Sequence, residues 1–304
     1  MSIFKKKKIC VTHNGSFHAD DLFASATLSI LNNGNIRIIR TRDPKIIATG
    51  DYVYDVGGEY DSERNKFDHH QRGGAGARDN GIPYSSFGLI WKKYGEKICG
   101  SIEVANYIEN KIVCSIDASD VGFDIIKPLI KDVFKYSAES IFLSEAPTWK
   151  EDYKNVDKIF VKQVKKIVTL LNREIKIAKD DINGINKLIE FYNKSEDKRI
   201  VISENDFPRY LLQDTLCKLS EPVYLVYPSA KSDTWKVEAI KKSPETMESR
   251  KPFPESWRGF LNGDDKLEKV TGIKGVIFTH PTGFYAQVAT KESAIKLAEK
   301  ALLA

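Results

Sequence analysis

The sequence predicts an α/β fold, in which a parallel-sheet domain with a helical extension precedes a smaller mixed α/β domain. Three observations lead to this prediction. From residue 9 to about residue 70, short apolar runs alternate with helical stretches, and this order requires right-handed crossovers between parallel strands. Helical periodicity returns at Ser85 and dominates to residue 194. A polar run at residues 195–198 then precedes mixed strands and helices, which places the domains at residues 1–195 and 196–304.

The predicted strands of the first domain each end on polar side chains. The apolar run KICVT leads directly into His13, and an amphipathic stretch from Asp21 to Asn32 follows it. The strand Tyr52–Tyr54 ends on Asp55, before two glycines that let the chain turn away. Because open α/β sheets place their sites at the carboxyl ends of the strands, these side chains are expected at one edge of the sheet.

The connections and helices of this domain can also be predicted. Asp43 before Pro44 indicates the N-cap and first position of a short helix. The glycine-rich segment at residues 71–81 has no hydrophobic periodicity, so it is either a mobile loop beside the site or a plain surface connector. Helices are expected over Ser85–Lys93 and Ile102–Ile116. The elements predicted after residue 123 are mainly helix over 124–194, with one long helix across Val156–Ile177, then a strand Arg199–Ile202, a helix Tyr210–Leu219, strands in PVYLVYP, TWKVEAI and GVIFTH, and a helix Glu292–Leu302.

The composition limits the class of protein. A hydrophobic fraction of 41% suffices for a core in each domain, and no apolar run approaches the roughly 20 residues that cross a bilayer. A net charge of +5 tolerates an anionic substrate without indicating a nucleic-acid track. The cysteines are scattered, so the sequence suggests neither a disulfide framework nor a thiolate zinc site, and it indicates a reducing compartment. We therefore expect a cytoplasmic protein, with the nucleus or mitochondrion as further options; the cysteines are Cys10, Cys99, Cys114 and Cys217.

The histidines indicate metal chemistry. All five lie in three short polar clusters, THNGSFHADD, KFDHHQ and THPTGF, and the first two clusters also contain aspartates. Imidazoles and carboxylates together bind divalent ions, and several of them can hold two ions that share a bridging carboxylate. The alternative is that histidines gather in turns to satisfy backbone groups. Because the clusters follow predicted strands, we expect a dinuclear metallohydrolase.

The expected metal ligands come from separate strand ends and one helix. Asp55 is the natural bridge, whereas Asp21 and Asp68 are expected to orient imidazoles. Asp117 and Asp120 share one face if their helix continues. Asp117 is preferred as a ligand because it ends an apolar run, although Asp120 stays an alternative. The predicted ligands are His13, His18, Asp20, Asp55, His69 and Asp117.

The motifs resemble a known family. FDHHQ, preceded by HADD and by a strand ending in Asp55, resembles the DHH phosphoesterase superfamily. The series THNGSFHADD, YDVGGEYD, KFDHHQ, IDASD, ESRKPFPESWRG and FTHPTGF is similar to the melanocyte proliferating gene (Myg) exonuclease family. The resemblance implies a DHH domain with two divalent ions, manganese being expected and magnesium or zinc being alternatives. It also implies a C-terminal domain that closes over the site, His69 as a ligand, and His70 as a phosphate donor or general acid beside Asp68.

The C-terminal motifs predict groups that bind the substrate. A phosphate held opposite the metals needs cationic and N–H donors, for which Arg250, Arg258 and His280 are candidates. Family members typically follow the Gly-Phe pair with two glycines and a lysine. This chain has Tyr285–Ala289 there, and Lys291 is expected to replace the missing lysine in part.

The leading functional hypothesis is a 3′-to-5′ exoribonuclease that acts on RNA or short oligonucleotides, the choice of polymer being implied by the resemblance. A small phosphoanhydride or cyclic nucleotide hydrolase is an alternative, because the site in the first domain does not encode substrate length. A third hypothesis is a non-catalytic RNA-binding protein, since Tyr285–Ala289 departs from the family pattern. No membrane partner is expected, and a homodimer is left open.

Overall fold

The computed structural model describes residues 6–133, 135–260 and 265–304. The chain forms two compact units, of which the first ends at Lys179 and the second begins at Asp180. This division lies inside a long helix, upstream of the boundary expected after residue 195. The domain limits inferred from the sequence therefore stay a prediction.

The first unit contains a mostly parallel sheet with the strand order β2-β1-β3-β5-β4. β1 pairs in parallel with β2 and β3, and β3 pairs in parallel with β5; the short β4 is antiparallel to β5. The predicted parallel sheet is thus confirmed, and the carboxyl ends of β1, β3 and β5 share one edge. The strands are β1 (Lys8–Thr12), β2 (Ile36–Arg40), β3 (Tyr52–Tyr54), β4 (Tyr60–Asp61) and β5 (Lys66–Phe67).

Helices cover this sheet and extend the unit. The helices are α1 (Ala19–Leu31), α2 (Pro44–Ile47), α3 (Ser86–Cys99), α4 (Ile102–Ile108), α5 (Cys114–Asp120), α6 (Ala138–Leu143) and α7 (Val156–Lys194), the last running into the second unit. A π-helical segment, Glu109–Val113, joins α4 to α5. The expectation of mainly helix over residues 124–194 is confirmed, since α6 and the long α7 make up most of this range, although residues 124–133 form no helix. Pro128 explains part of this interruption, because proline removes a backbone donor and clashes with the preceding turn.

The core of the first unit lies on both faces of the sheet. On one face α1 packs against α3, where the rings of Phe23 and Phe87 are 5.4 Å apart. On the other face Val11, Val53 and Val56 form a smaller apolar cluster. The sheet edge lies between these packed layers, and the side chains that follow each strand extend from it.

The second unit has a mixed sheet with the order β6-β7-β8-β10-β9. Only β6 and β7 are parallel, and the other pairs are antiparallel. This confirms the mixed α/β prediction, although β10 and α9 were not predicted. The elements are β6 (Ile200–Ile202), α8 (Arg209–Leu216), β7 (Tyr224–Pro228), β8 (Trp235–Ala239), α9 (Asp265–Thr271), β9 (Val276–Thr279), β10 (Tyr285–Val288) and α10 (Lys291–Leu303). Across the described residues, no helix combines the length and apolar character that a membrane span requires.

Candidate metal centre

The strand ends of the first unit bring three of the predicted ligands together. His13 directly follows β1, Asp55 follows β3, and His69 lies two residues beyond β5. Asp55 Oδ2 is 3.0 Å from His13 Nε2, and Asp55 Oδ1 is 3.3 Å from His69 Nε2. The Asp55 side chain is only 2% exposed. Its carboxylate therefore lies between two imidazoles that are far apart in the sequence.

The first turn of α1 adds two buried carboxylates. The backbone N–H of His18, the N-cap residue, donates to Asp21 Oδ1 at 3.0 Å, and Asp21 Oδ2 is 3.3 Å from His13 Nε2. Asp20 Oδ2 accepts the N–H of Ser86 at 3.0 Å. Acidic side chains are favoured near helix N-termini, which explains why this turn holds two of them. Asp20 Oδ2 also lies 3.8 Å from His69 Nε2, so both aspartates face the cluster.

Asp117 and Asp120 occupy different environments. Asp117 accepts hydrogen bonds from Ser85 Oγ at 2.6 Å, from the N–H of Gly88 at 3.0 Å and from Arg78 Nη2 at 2.7 Å. Asp120 Oδ2 instead lies 3.3 Å from His69 Nε2. The structure thus brings Asp120 to the imidazoles, while Asp117 anchors a neighbouring network.

Three sets of side chains have the spacing of a metal site. Within each set the potential ligand atoms lie within 4.8 Å of one another. Asp55 belongs to two of the sets, and so does His69, so neighbouring sets share a residue. The sets are His13, His18 and Asp55; Asp55, His69 and His70; and Asp20, His69 and Asp120. Such sharing suits two cations better than one.

Unpartnered buried atoms test whether a cation fits this cluster. His13 Nδ1 lies 3.0 Å from the carbonyl oxygen of Asn14, to which it donates, so Nε2 is the nitrogen that can lose its proton and bind a cation beside Asp21 and Asp55. Buried polar atoms are almost always hydrogen-bonded, so a group of unpartnered acceptors around one point fits a divalent ion. Within the described chain, the cluster's buried atoms without a hydrogen-bond partner are His13 Nε2, Asp20 Oδ1, Asp21 Oδ2, Asp55 Oδ2 and His69 Nε2.

The electrostatics agree with this arrangement. Burial raises the pKa of Asp20 well above its usual value, and the charge of Asp55 raises it further. Burial also acts to raise the pKa of Asp55, but the neighbouring His13 and His69 imidazoles, when protonated, outweigh it and hold that pKa low. Burial lowers the pKa of His13, yet Asp21 and Asp55 raise it to about 10. The crowded carboxylates repel one another, so a divalent cation would favour their ionised forms.

Asp68 and His70 form a pair at the outer side of the cluster. Asp68 Oδ1 accepts from the backbone N–H of His70 at 3.1 Å and lies 2.8 Å from His70 Nδ1. The N–H of Gly58 donates to Asp68 Oδ2 at 2.6 Å. The His70 side chain is 62% exposed, in contrast to the buried His69. Asp68 thus fixes the orientation of an imidazole that solvent and ligands can reach.

The predicted substrate-binding residues lie in the second unit. The Arg250 guanidinium donates to the carbonyl oxygens of Cys217, Ser220 and Pro222, and therefore closes a turn. Lys291 Nζ donates to Glu204 at 2.5 Å. These contacts are structural, and the substrate roles of both residues stay predictions.

Arg258 and His280 lie on two loops that a backbone hydrogen bond connects. Arg258 Nε donates to the Phe253 carbonyl at 2.7 Å, and the N–H of Gly259 donates to the carbonyl of Thr279, next to His280, at 3.2 Å. His280 Nδ1 accepts the N–H of Thr282 at 3.2 Å. The structure thus joins the two loops that carry Arg258 and His280, while their substrate roles stay predictions.

Sequence reasoning missed the network that supports the cluster. Arg78, in the glycine-rich segment, has a buried side chain that donates to Glu109 at 2.5 Å and to Asp117. An arginine among glycines was the available signal. A Cβ on Gly88 would lie 1.8 Å from Asp117 Oδ2, so only glycine fits there without displacing this carboxylate. The network holds the start of α3 and α5 together.

Comparisons with known proteins give a consistent result. A family model described as uncharacterised protein family UPF0160, with the short name MYG1_exonuc, matches residues 8–302. The chain is 28% identical to the MYG1 exonuclease of Homo sapiens over 323 residues, which cover 96% of this chain and 85% of the human protein. It is 30% identical to an MYG1 protein of Schizosaccharomyces pombe over 319 residues, 96% of each chain. It is 32% identical to the MYG1 protein of Chlamydia trachomatis over 291 residues, 93% of this chain and 92% of that protein.

Proposed function

The chain belongs to the MYG1 exonuclease family, and from that premise we propose that it is a metal-dependent phosphodiesterase that removes nucleotides from the 3′ end of RNA or short oligonucleotides. The observation that carries the proposal is the Asp55-centred cluster, in which buried acceptor atoms of histidines and aspartates converge without hydrogen-bond partners. The names of the relatives support hydrolysis of nucleic acid; the polymer and the direction are our inference.

We assign the ligand set by proximity in the structure. Asp120 takes the place that the sequence gave to Asp117, because it approaches His69 while Asp117 is bonded to Arg78. The Asn14 carbonyl orients His13 through Nδ1, and Asp21, which none of the three sets includes, stays outside the ligand set. Manganese is the ion that the family resemblance implies, and the carboxylate donors of the cluster suit it. The proposed ligands are His13, His18, Asp20, Asp55, His69 and Asp120.

The chain's own groups divide the remaining work. Two divalent ions, when bound, would neutralise the phosphoryl oxygens and lower the pKa of the attacking water. Asp55 lies between His13 and His69 and fixes their relative positions, since each of its carboxylate oxygens faces a different imidazole. His70, oriented by Asp68, donates a proton to the leaving 3′ oxygen, and its exposure lets it reach that atom. The expected products are nucleoside 5′-monophosphates and a shortened chain.

The test is hydrolysis of a short RNA that is labelled at its 5′ end. With manganese, the wild type should give a ladder of progressively shorter labelled products and nucleoside 5′-monophosphates, and a chelator should stop the reaction. Asp55→Asn should be inactive. Asp61→Asn is the matched control, because Asp61 lies on the short β4 and pairs with Arg64 away from the cluster.

Three outcomes would contradict the proposal in different ways. Cleavage of pyrophosphate or a cyclic nucleotide with RNA untouched would keep the hydrolase and exclude the exonuclease. RNA binding that is unchanged in Asp55→Asn, with no turnover in the wild type, would indicate a non-catalytic RNA-binding protein. Shortening of the RNA from its 5′ end would reverse the proposed direction. The homodimer and the compartment stay predictions that this experiment does not address.

A further inference from the structure

A cavity of about 630 Å³ opens beside the histidine pair of the first unit. Ligand pockets for small molecules typically span about 300–1,000 Å³, so this cavity can hold a nucleoside. The polar part of its lining consists of His18, His69, His70 and Asp120, and the rest is small or apolar, including Ala75 and Val121. The lining therefore combines proposed metal ligands with a set of small and apolar residues.

The lining of the cavity discriminates between classes of ligand. Among the described residues that line it there is no lysine or arginine. A pyrophosphate or another polyanion would need cationic donors beyond the metals, because charge-assisted contacts bind phosphate groups most strongly. A nucleobase is planar and uncharged, and it gains free energy from contact with apolar and aromatic side chains. The apolar part of the lining therefore suits a base better than a second phosphate.

Two further observations indicate a built site. His69 is only 10% exposed, lines the cavity, and has no hydrogen-bond partner for Nε2 among the described residues. The part of the lining formed by Pro83 and Tyr84 is held in place by Arg78, which donates to the Pro83 carbonyl at 3.3 Å and lies over the Tyr84 ring with its guanidinium carbon 4.2 Å from the centroid. A preorganised wall reduces the entropy lost when a ligand binds.

The glycines keep this wall open. Gly73, Gly74 and Gly76 all have positive φ, and a Cβ at any of them would meet no atom within 4 Å. The space next to them is thus free for a ligand. Residues with side chains would adopt these backbone conformations only with strain, so the segment keeps its low profile.

On the basis of the proposed function, we propose that this cavity binds the terminal nucleoside of the substrate, with the base against the apolar part of the lining and the phosphate at the histidines. The protein then selects nucleotide esters over inorganic polyphosphates. Ala75 and Val121, which both line the cavity, determine the space available to the base.

The test compares a ligand that carries a base with one that lacks it. Adenosine 5′-monophosphate and ribose 5-phosphate are titrated calorimetrically into the manganese-loaded wild type, Ala75→Phe and Val121→Phe. Ala48→Phe is the matched control, since Ala48 is exposed at the end of α2. We expect the wild type and the control to bind the nucleotide at least about tenfold more tightly than the sugar phosphate, as stacking of one base provides. Each pocket variant should lose that preference and keep its affinity for ribose 5-phosphate.

Other results would overturn this assignment. Equal affinity of the wild type for both ligands would show that no base site exists. Retention of the base preference in both pocket variants, with unchanged melting temperature and manganese affinity, would place the base elsewhere. Because binding is the readout, a wild type that prefers the nucleotide but hydrolyses no RNA would refute the proposed function and leave the cavity assignment standing.

Discussion

Replacing Asp120 and Asp117 separately by asparagine tests which carboxylate serves the metals. Asp120 Oδ2 lies 3.3 Å from His69 Nε2, whereas both oxygens of Asp117 are bonded to donors from Ser85, Gly88 and Arg78. Asparagine keeps the shape of aspartate and removes its charge. We therefore expect Asp120→Asn to weaken metal binding and Asp117→Asn to leave it nearly unchanged.

The expected magnitude for Asp120 follows from its position. Loss of a group that only orients a ligand typically costs 10- to 100-fold in metal affinity, so loss of a ligand should cost at least about 100-fold. Burial raises the pKa of Asp120, and the charge of Asp55 adds to this rise. Its charge is therefore unfavourable before a cation binds. The metal-free Asp120→Asn variant should consequently be as stable as the metal-free wild type, or more stable.

The expected magnitude for Asp117 combines two opposing effects. The asparagine amide can still accept from Ser85 and Gly88, but it leaves Arg78 Nη2 facing an N–H group, and an unsatisfied buried donor costs about 1–3 kcal/mol. Burial, on the other hand, raises the pKa of Asp117 to about 6 although Ser85 and Arg78 lower it. The folded protein therefore takes up a proton at Asp117 as the pH falls through about 6. The unfolded chain does so only near 4.

This linkage gives the sign of a pH dependence. Below both pKa values Asp117 is protonated in the folded and in the unfolded protein, and above both pKa values it is ionised in both. Because the pKa is higher in the folded protein, the ionised carboxylate lowers wild-type stability above about pH 6. The wild type should gain up to about 3 kcal/mol relative to Asp117→Asn as the pH falls from 7 to below 4. The cost of the substitution is thus smallest near neutral pH. Metal affinity is measured by competition with a fluorescent chelator, and stability by urea unfolding in a chelator across this pH range. A loss of metal affinity in Asp117→Asn with normal affinity in Asp120→Asn would refute the assignment.

Three further predictions concern the same centre. Chelation should lower the melting temperature of the wild type by roughly 5–10 °C, since a ligand at 100 times its Kd adds about 2.7 kcal/mol, and an unshifted calorimetric melt would show that no centre exists. Gly88→Ala should destabilise the protein by about 1–3 kcal/mol in urea unfolding, because the new Cβ would lie 1.8 Å from Asp117 Oδ2, although alanine has the better helix propensity. Equal or higher stability of the variant would mean that Asp117 and its partners can move to accommodate the Cβ. Metal affinity should rise with pH up to about 10, because His13 must release a proton to bind and its pKa before binding is about 10. Proton release in buffers of different ionisation enthalpy measures this, and release that is unchanged in an Asp21→Asn variant would exclude the attribution to His13.

Much of the fold follows from local patterns in the sequence. KICVT and the run at Tyr52–Tyr54 are short apolar strands next to helical stretches, and the parallel order of the first sheet follows from that alternation. Local sequence patterns failed to predict a strand that forms only because neighbouring strands pair with it. The segment Tyr285–Val288 has no distinct strand signal of its own, and it becomes β10 because β8 and β9 pair with it on both sides. Residues 124–133 form no helix at the start of the region that was correctly expected to be mainly helical, and Pro128 lies among them.

The site could be predicted from the sequence as far as strand ends determine it. His13, Asp55 and His69 each follow a strand closely, so the shared edge of a parallel sheet brings them together. The choice between Asp117 and Asp120 depends instead on the helical phase. The π-helical segment Glu109–Val113 shifts the phase of α5 relative to α4, and no apolar periodicity in the sequence reveals that insertion.

The backbone at Asp55 connects the stability of the fold to its chemistry. Asp55 has a φ of 55°, a left-handed conformation that residues with side chains rarely adopt, and Gly57 and Gly58 after it have φ values of 103° and 69°. Glycine would make the same turn at a lower free energy, so selection for stability alone would favour a third glycine. Only a side chain with two acceptor oxygens can face His13 and His69 at once, and the left-handed turn sets the carboxylate between them. Neither the strained backbone at Asp55 nor the repulsion between the crowded carboxylates stabilises the metal-free fold. A bound cation would compensate for both, and this explains why the chain keeps them.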